Sequence, residues 1–297
     1  MKNFVKLCKM SQKDLKDYAF KRLKNTYQYV VKRDGFVYAQ GTFPVLLVAH
    51  LDTVHKKPPQ NVFLDNVKGH LYSLQGIGGD DRCGVYMIFE IIKRYNCSVL
   101  FCEDEEIGTV GAKKFINSPT AKQVDVNYII ELDRKGSNDA VFYDCDNPDF
   151  ENFITQKYFN TAHGSFSDIS VLAPALKRAA VNLSCGYYNA HTLQEYVKFN
   201  EMQEIIKQVC GILAKTNKAT VFEYIEIDYL KKYARWDMDY DWYGLYEDSY
   251  MFMWYEDGKE EPECEEIVAS SEFEAIGKFC FRHPTIPYKD VTAYPVR

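Results

Sequence analysis

Pro44-Val45-Leu46-Leu47-Val48-Ala49-His50-Leu51-Asp52-Thr53-Val54 is the stretch on which the fold reading turns. Its first six residues are apolar without alternation, the pattern of a strand buried on both faces, and His50 and Asp52 follow where that strand ends. The pattern recurs along the chain. Ser98-Val99-Leu100-Phe101-Cys102 runs into Glu103-Asp104-Glu105-Glu106-Ile107-Gly108, a strand over 126–132 runs into Asp133, and another apolar strand is expected at 179–183. Segments with helical spacing lie between them, at 85–95, 110–116, 150–158 and 195–214. Upstream, Ser11 is placed to cap a first helix over 12–24, and short strands at about 28–32 and 36–40 turn at Asp34-Gly35. Doubly buried strands alternating with helices define an α/β fold, a mixed sheet sandwiched between helices.

Composition sets the limits. The chain has 297 residues, 46% hydrophobic and 26% charged, an ordinary globular balance. Thirty-six Lys and Arg against 42 Asp and Glu leave a net charge of −6, with no basic stripe, which argues against nucleic-acid binding. The apolar runs fall well short of the ~20 residues that a membrane helix needs. Lysines break up the first nine residues before a signal peptide could form, so a cytoplasmic protein is expected. Nine cysteines, an odd number without a C-x-x-C pair, read as reduced, mostly buried small hydrophobes.

A composition break follows residue 217. Residues 218–297 carry 9 basic against 18 acidic side chains and all three tryptophans, Trp236, Trp242 and Trp254. The reading is a large α/β domain over 1–217 and an acidic, aromatic-rich module over 218–297, expected to pack on the large domain. Its order is strand, strand, helix, strand, a small α+β unit, with the helix capped near Ser271 and stopping before His283-Pro284.

Five segments bring acidic residues and histidines to expected strand ends, where open α/β sheets place ligands. They are His50-Leu51-Asp52, Gly78-Gly79-Asp80-Asp81-Arg82-Cys83-Gly84, Asp104-Glu105-Glu106-Ile107-Gly108, Glu131-Leu132-Asp133 and Asn189-Ala190-His191. Singly, each has an ordinary structural explanation, and Asp81 reads as a helix N-cap. Together they would crowd carboxylates at one sheet edge, at a cost of several kcal/mol unless cations compensate. Divalent metal is the simplest compensation, and every segment offers a suitable ligand type.

The order and wording of these segments resemble the co-catalytic zinc peptidases of the clan that includes the M20, M28 and M42 families, whose fold is the phosphorylase/hydrolase-like zinc exopeptidase fold. His50-Leu51-Asp52-Thr53-Val54 resembles H-x-D-T-V, the 78–84 segment resembles G-x-D-D-[KR]-x-G, and 104–108 resembles D-E-E-x-G. The resemblance implies two divalent ions, zinc first, with manganese or cobalt as alternatives. It implies Asp80 as the bridging ligand, His50 and Asp133 completing one site and Glu106 and His191 the other. Asp52 would orient His50, and Glu105 would be the general base.

The spacing also departs from relatives. Only 58 positions separate Asp133 from His191 and only 30 separate His50 from Asp80, too few for the inserted domains of M20 and M42 enzymes. A compact M28-like architecture with M20 tripeptidase-like motifs follows, and with it an aminopeptidase on short peptides in preference to a carboxypeptidase. Alternatives are an N-acyl amidohydrolase, a glutaminyl-cyclase-like acyl transferase, or a binding protein that keeps the metal fold and uses its C-terminal module. His163 could donate to an oxyanion or be a loop or core residue. Tyr187 and Tyr188 could line the pocket or simply pack. Arg134 and Lys135 could attract a carboxylate or stay solvated, and His55 is expected on a surface loop.

Overall fold

Eight strands that form one sheet account for most of the apolar runs. The computed structural model describes residues 1–164, 166–227, 248–254, 263–269, 272–283, 286 and 291–296. It divides into two units, Met1–Glu226 and Ile227–Arg297. The first unit runs α1 (Lys2–Cys8), α2 (Gln12–Lys24), β1 (Tyr29–Arg33), β2 (Phe36–Gln40), β3 (Phe43–His50), β4 (Phe63–Asp65), β5 (His70–Tyr72), α3 (Gly79–Ile91), β6 (Cys97–Cys102) and α4 (Val110–Ile116). After a 3-10 turn come β7 (Tyr128–Arg134), β8 (Asp139–Val141), α5 (Pro148–Thr155), β9 (Asn160–Ala162), α6 (Asp168–Leu176), β10 (Ala180–Ser184), β11 (Tyr187–Tyr188), β12 (Tyr196–Val197) and α7 (Phe199–Leu213).

The main sheet has the order β1-β2-β6-β3-β7-β10-β8-β9. Its centre, β6-β3-β7-β10, is parallel, while β1, β2 and β8 add antiparallel pairs, so the sheet is mixed. Successive side chains of a strand face opposite ways, and β3 shows the result. Val45, Leu47 and Ala49 enter a core shared with α1, α2, α3 and α7, whereas Leu46 and Val48 enter one shared with α4 and α6. Both faces are therefore covered, which is why these runs carry no alternation.

Local signals set several boundaries. The Ser11 hydroxyl accepts from the Asp14 backbone N–H at 3.1 Å and caps α2. A further helix, α1, precedes it and buries Phe4, Leu7 and Cys8. The expected helix from Glu195 begins instead at Phe199, because Tyr196 and Val197 pair with β5 and β11. These short strands belong to a second sheet, β11-β12-β5-β4, that the sequence reading did not contain. The first unit also continues past residue 217. Phe222 bridges Asn127 and Ala179 through backbone hydrogen bonds of 3.0 and 2.9 Å, and its ring packs 5.1 Å from Phe150.

In the second unit, β13 (Asp248–Trp254), β14 (Glu263–Ala269), α8 (Glu272–Arg282) and β15 (Val291–Val296) follow the strand, strand, helix, strand order. The antiparallel sheet β14-β13-β15 has a core of its own, with Phe252 stacked on Phe279 at 4.7 Å. Trp236, Trp242, the aromatic stretch up to residue 247, Tyr255, Ser165, the expected cap Ser271 and Pro284 lie outside the described residues. Among the described residues, all cysteines are unpaired and all but Cys264 are buried. No helix there is long and apolar enough to cross a membrane.

One close approach fixes α3 on the sheet. A Cβ added at Gly84 would lie 1.8 Å from the Leu132 carbonyl oxygen in β7. Backbone cannot yield as a flexible side chain can, so Gly84→Ala should lift α3 from β7 at a cost of about 1–3 kcal/mol. Urea unfolding should show a lower midpoint at unchanged slope; an unchanged midpoint would mean that helix and strand are not held this tightly.

Candidate metal centre

His50 closes β3 with its ring 1% exposed. Its Nδ1 lies 3.2 Å from Asp52 Oδ1, and its Nε2 lies 3.1 Å from Asp80 Oδ1 and 3.3 Å from Asp133 Oδ1. Asp52 also accepts the backbone N–H groups of Glu105 and Glu106 at 3.1 and 3.0 Å, so one carboxylate orients the imidazole and shapes the acidic turn after β6. Asp80 opens α3, which is non-helical at Asp80 and Asp81. Its second oxygen, Oδ2, lies 3.2 Å from His191 Nε2, and that nitrogen is 3.1 Å from Glu106 Oε2.

The five sequence-nominated ligands thus fall into two groups that share Asp80. In His50/Asp80/Asp133 and in Asp80/Glu106/His191, the ligand atoms lie within 4.8 Å of one another. Glu106 Oε1 is buried without a hydrogen-bond partner, and Asp133 Oδ1, near His50 as it is, has no hydrogen bond of acceptable geometry. Among the described residues, the ion-pair partners of Asp52, Asp80, Glu106 and Asp133 are imidazoles, never Lys or Arg. Oxygen and imidazole donors with unused lone pairs suit zinc and the neighbouring first-row divalent ions.

The charge states follow from this crowding. Burial drives the Asp133 carboxyl well up and raises Glu105, and burial together with the Asp80 charge lifts Glu106 to about 7. At Asp52 burial is outweighed by the His50 ring and the two turn N–H groups, which bring it down to about 2. At Asp80 the two imidazoles outweigh burial and hold the carboxyl far down. The hydrogen bond to Asp80 raises His191 to about 9. Without metal, protons take up part of the balance that divalent ions would otherwise supply.

Neighbouring residues sort themselves around this cluster. Asp81 accepts from Gly84 N at 2.7 Å, the work of a cap, and also from His50 N at 3.2 Å. Arg82 donates to the carbonyl oxygen of Leu51 at 2.7 Å, so the start of α3 grips the end of β3. Tyr187 is buried, its hydroxyl on the Asp133 carbonyl oxygen at 3.0 Å, while the Tyr188 hydroxyl donates to Glu201. His163 is exposed and its carbonyl oxygen accepts from Arg134, which also approaches Asp139 at 3.4 Å; Lys135 is exposed. His55 departs from expectation: its ring is 11% exposed and Nε2 lies 3.3 Å from Glu195. Glu195 itself, buried beneath the Asp80 turn, was hidden in an apparent helix start, and no local pattern marks it. Glu131 and Asp168 form a further buried acidic pair, with Glu131 accepting from the Ser167 hydroxyl.

The likenesses to known proteins fit this geometry. The family model for Peptidase family M28 matches residues 37–181, which include all the donors except His191. Aminopeptidase PepT from Bacillus cereus superposes with a TM-score of 0.60 at 14% identity, over 72% of this chain and 98% of that one. A Zn-dependent exopeptidase from Parabacteroides distasonis gives 0.51 at 16%, over 72% and 95% of the two chains. Glutaminyl cyclase from Tannerella forsythia gives 0.52 at 15%, over 73% and 96%. Identities this low show a shared fold. No curated protein matches the sequence.

Fold, donor set and family match together define a metal-dependent peptidase. The family match over residues 37–181 and the shared fold are consistent with a zinc metallopeptidase of the clan that includes families M20, M28 and M42.

Because protons occupy groups that a metal must ligate, metal binding should release them. Glu106 at about 7 and His191 at about 9 are both largely or partly protonated near neutral pH and must lose those protons to bind. Zinc affinity should therefore fall as pH drops from about 8 to 6. Calorimetry in buffers of different ionisation enthalpy should register the released protons; a buffer-independent heat would contradict this charge assignment.

Proposed function

We propose that the first unit is a two-ion aminopeptidase acting on short peptides, with Glu105 as general base. The observation that carries the reading is Asp80, whose two oxygens face separate donor groups, His50 with Asp133 and Glu106 with His191. When bound, zinc or a similar ion at these groups supplies Lewis acidity, which makes a water nucleophilic near neutral pH and balances charge on the attacked carbonyl.

The remaining work falls to the protein. Glu105 stands beside the ligand Glu106, its backbone N–H held by Asp52, and burial raises its carboxyl. A carboxylate poised nearer neutrality can take a proton from the attacking water and return it to the leaving amine. Asp52 keeps the His50 ring in one tautomer while fixing this turn. The spans 50–80 and 133–191 form strands and helices of the same unit, among the described residues, and contain no separate lid domain that could supply a cation for a substrate carboxylate. That supports action at the free amino end. The substrate is then a small peptide, and the Ile227–Arg297 unit supplies none of the nominated donors.

A second reading is transfer of the glutaminyl-cyclase type, favoured by the fold likeness to that enzyme. Peptides with free, blocked and glutaminyl N-termini separate the two: cyclisation without hydrolysis would select the second. For the first, purified protein should hold two ions per chain and lose activity to chelators. Glu105→Gln should cut kcat by roughly 10²- to 10⁴-fold at unchanged metal content. Full turnover by chelated, metal-free protein would defeat the reading.

A further inference from the structure

Two of the three elements that carry the second donor group meet on one buried carboxylate outside both groups. Glu195, 1% exposed, follows His191 on the loop into β12. Its Oε2 accepts the Gly78 N–H at 2.8 Å and its Oε1 accepts the Asp80 N–H at 3.0 Å, while His55 Nε2 lies 3.3 Å from Oε2. The fit is close: a Cβ at Gly79 would lie 2.8 Å from Val197 and 2.9 Å from Tyr187, and 3.4 Å from Glu195 Oε1. Gly78, at φ +66, supplies the left-handed turn that points both N–H groups at the carboxylate.

The two donor groups depend on this carboxylate unequally. His50 and Asp133 sit on β3 and β7, central strands hydrogen-bonded on both sides, and each has a separate anchor. Asp52 holds the His50 ring, and Asn182 Oδ1 accepts from Asp133 N at 3.0 Å. Glu106 hangs from Asp52 through its backbone. His191, by contrast, lies on a loop with its side chain 55% exposed, and that loop and the Asp80 turn are joined through Glu195.

We propose that Glu195 is a positioning residue that sets Asp80 against His191 and so makes the second donor group competent for its ion. The inference rests on the two-ion reading above and extends it to a residue that touches no ion. Metal-free full-length chain is titrated with cobalt(II), and its visible absorption resolves the binding steps. Wild type should bind in two steps. Glu195→Gln should leave the first within about threefold and weaken the second about 10- to 100-fold, the usual loss when a ligand's supporting partner is removed. A general loss of stability would move both steps together, and the thermal midpoint of the metal-free variant measures that separately.

Should Glu195→Gln fail to fold, His55→Ala serves instead, since it removes one partner and leaves both N–H bonds. It should still weaken the second step selectively, by at least about threefold. Equal shifts in both steps, or none, would overturn the role of Glu195 while two ions remain. Wild-type protein that binds fewer than two ions would overturn the two-ion reading, and this inference with it.

Discussion

Five carboxylates, those of Asp52, Asp80, Glu105, Glu106 and Asp133, gather at one edge of the sheet with two imidazoles and no Lys or Arg ion pair among the described residues. Like charges at such separations in a poorly solvated site repel strongly, and each carboxylate loses hydration as well. The protein offsets part of this with backbone N–H groups on Asp52 and Asp81 and with the histidine rings. The rest falls to protons in the bare site, a share that bound divalent metal would take over. Hydrophobic burial elsewhere must keep this edge assembled, which is why it stands on the most deeply covered strands.

Register turns that requirement into geometry. In the parallel pairing of β3 with β6, His50 stands opposite Cys102, so His50 and the acidic turn begin at the same level of the sheet. In the pairing of β3 with β7, Val48 stands opposite Glu131, so Asp133 emerges level with His50. Parallel neighbours end at a common edge, and a shift of one residue would turn every side chain to the other face. The start of α3 then closes over the strand ends, held by Asp81 on His50 N and Arg82 on the Leu51 carbonyl.

Much of this was legible in the sequence because apolar runs and ligand motifs are contiguous there. The strand at 44–49 and the His50-x-Asp52 that ends it lie within nine residues, and the helix over 110–116 was read at its observed bounds. What escaped was made of pieces too short to show a period. The second sheet is built from strands of two and three residues, and α6 contains Pro174, which interrupts a helical pattern. Glu195 and His55 were missed for another reason. Their meaning lies in a contact across 140 positions, and neither residue's neighbourhood carries any trace of it.

Asp52 shows how the parts depend on one another in the proposed chemistry. One carboxylate fixes the His50 tautomer on one side and, through two N–H bonds, the turn bearing base and ligand on the other. Held below the usual carboxylate range, at about 2, it remains an anion near neutral pH, so both functions persist together there. Glu105 and Glu106 differ by one position on a turn with common support, yet burial with different neighbours gives them different tasks: Glu106 meets His191, and Glu105 stays outside both donor groups. Apart from the shared Asp80 at the start of α3, the first group stands on strands, with His50 on β3 and Asp133 on β7, and the second on a turn and a loop, with Glu106 and His191. The first pair of unshared donors is therefore held by sheet hydrogen bonds and the second by side-chain contacts to the turn and loop that carry it.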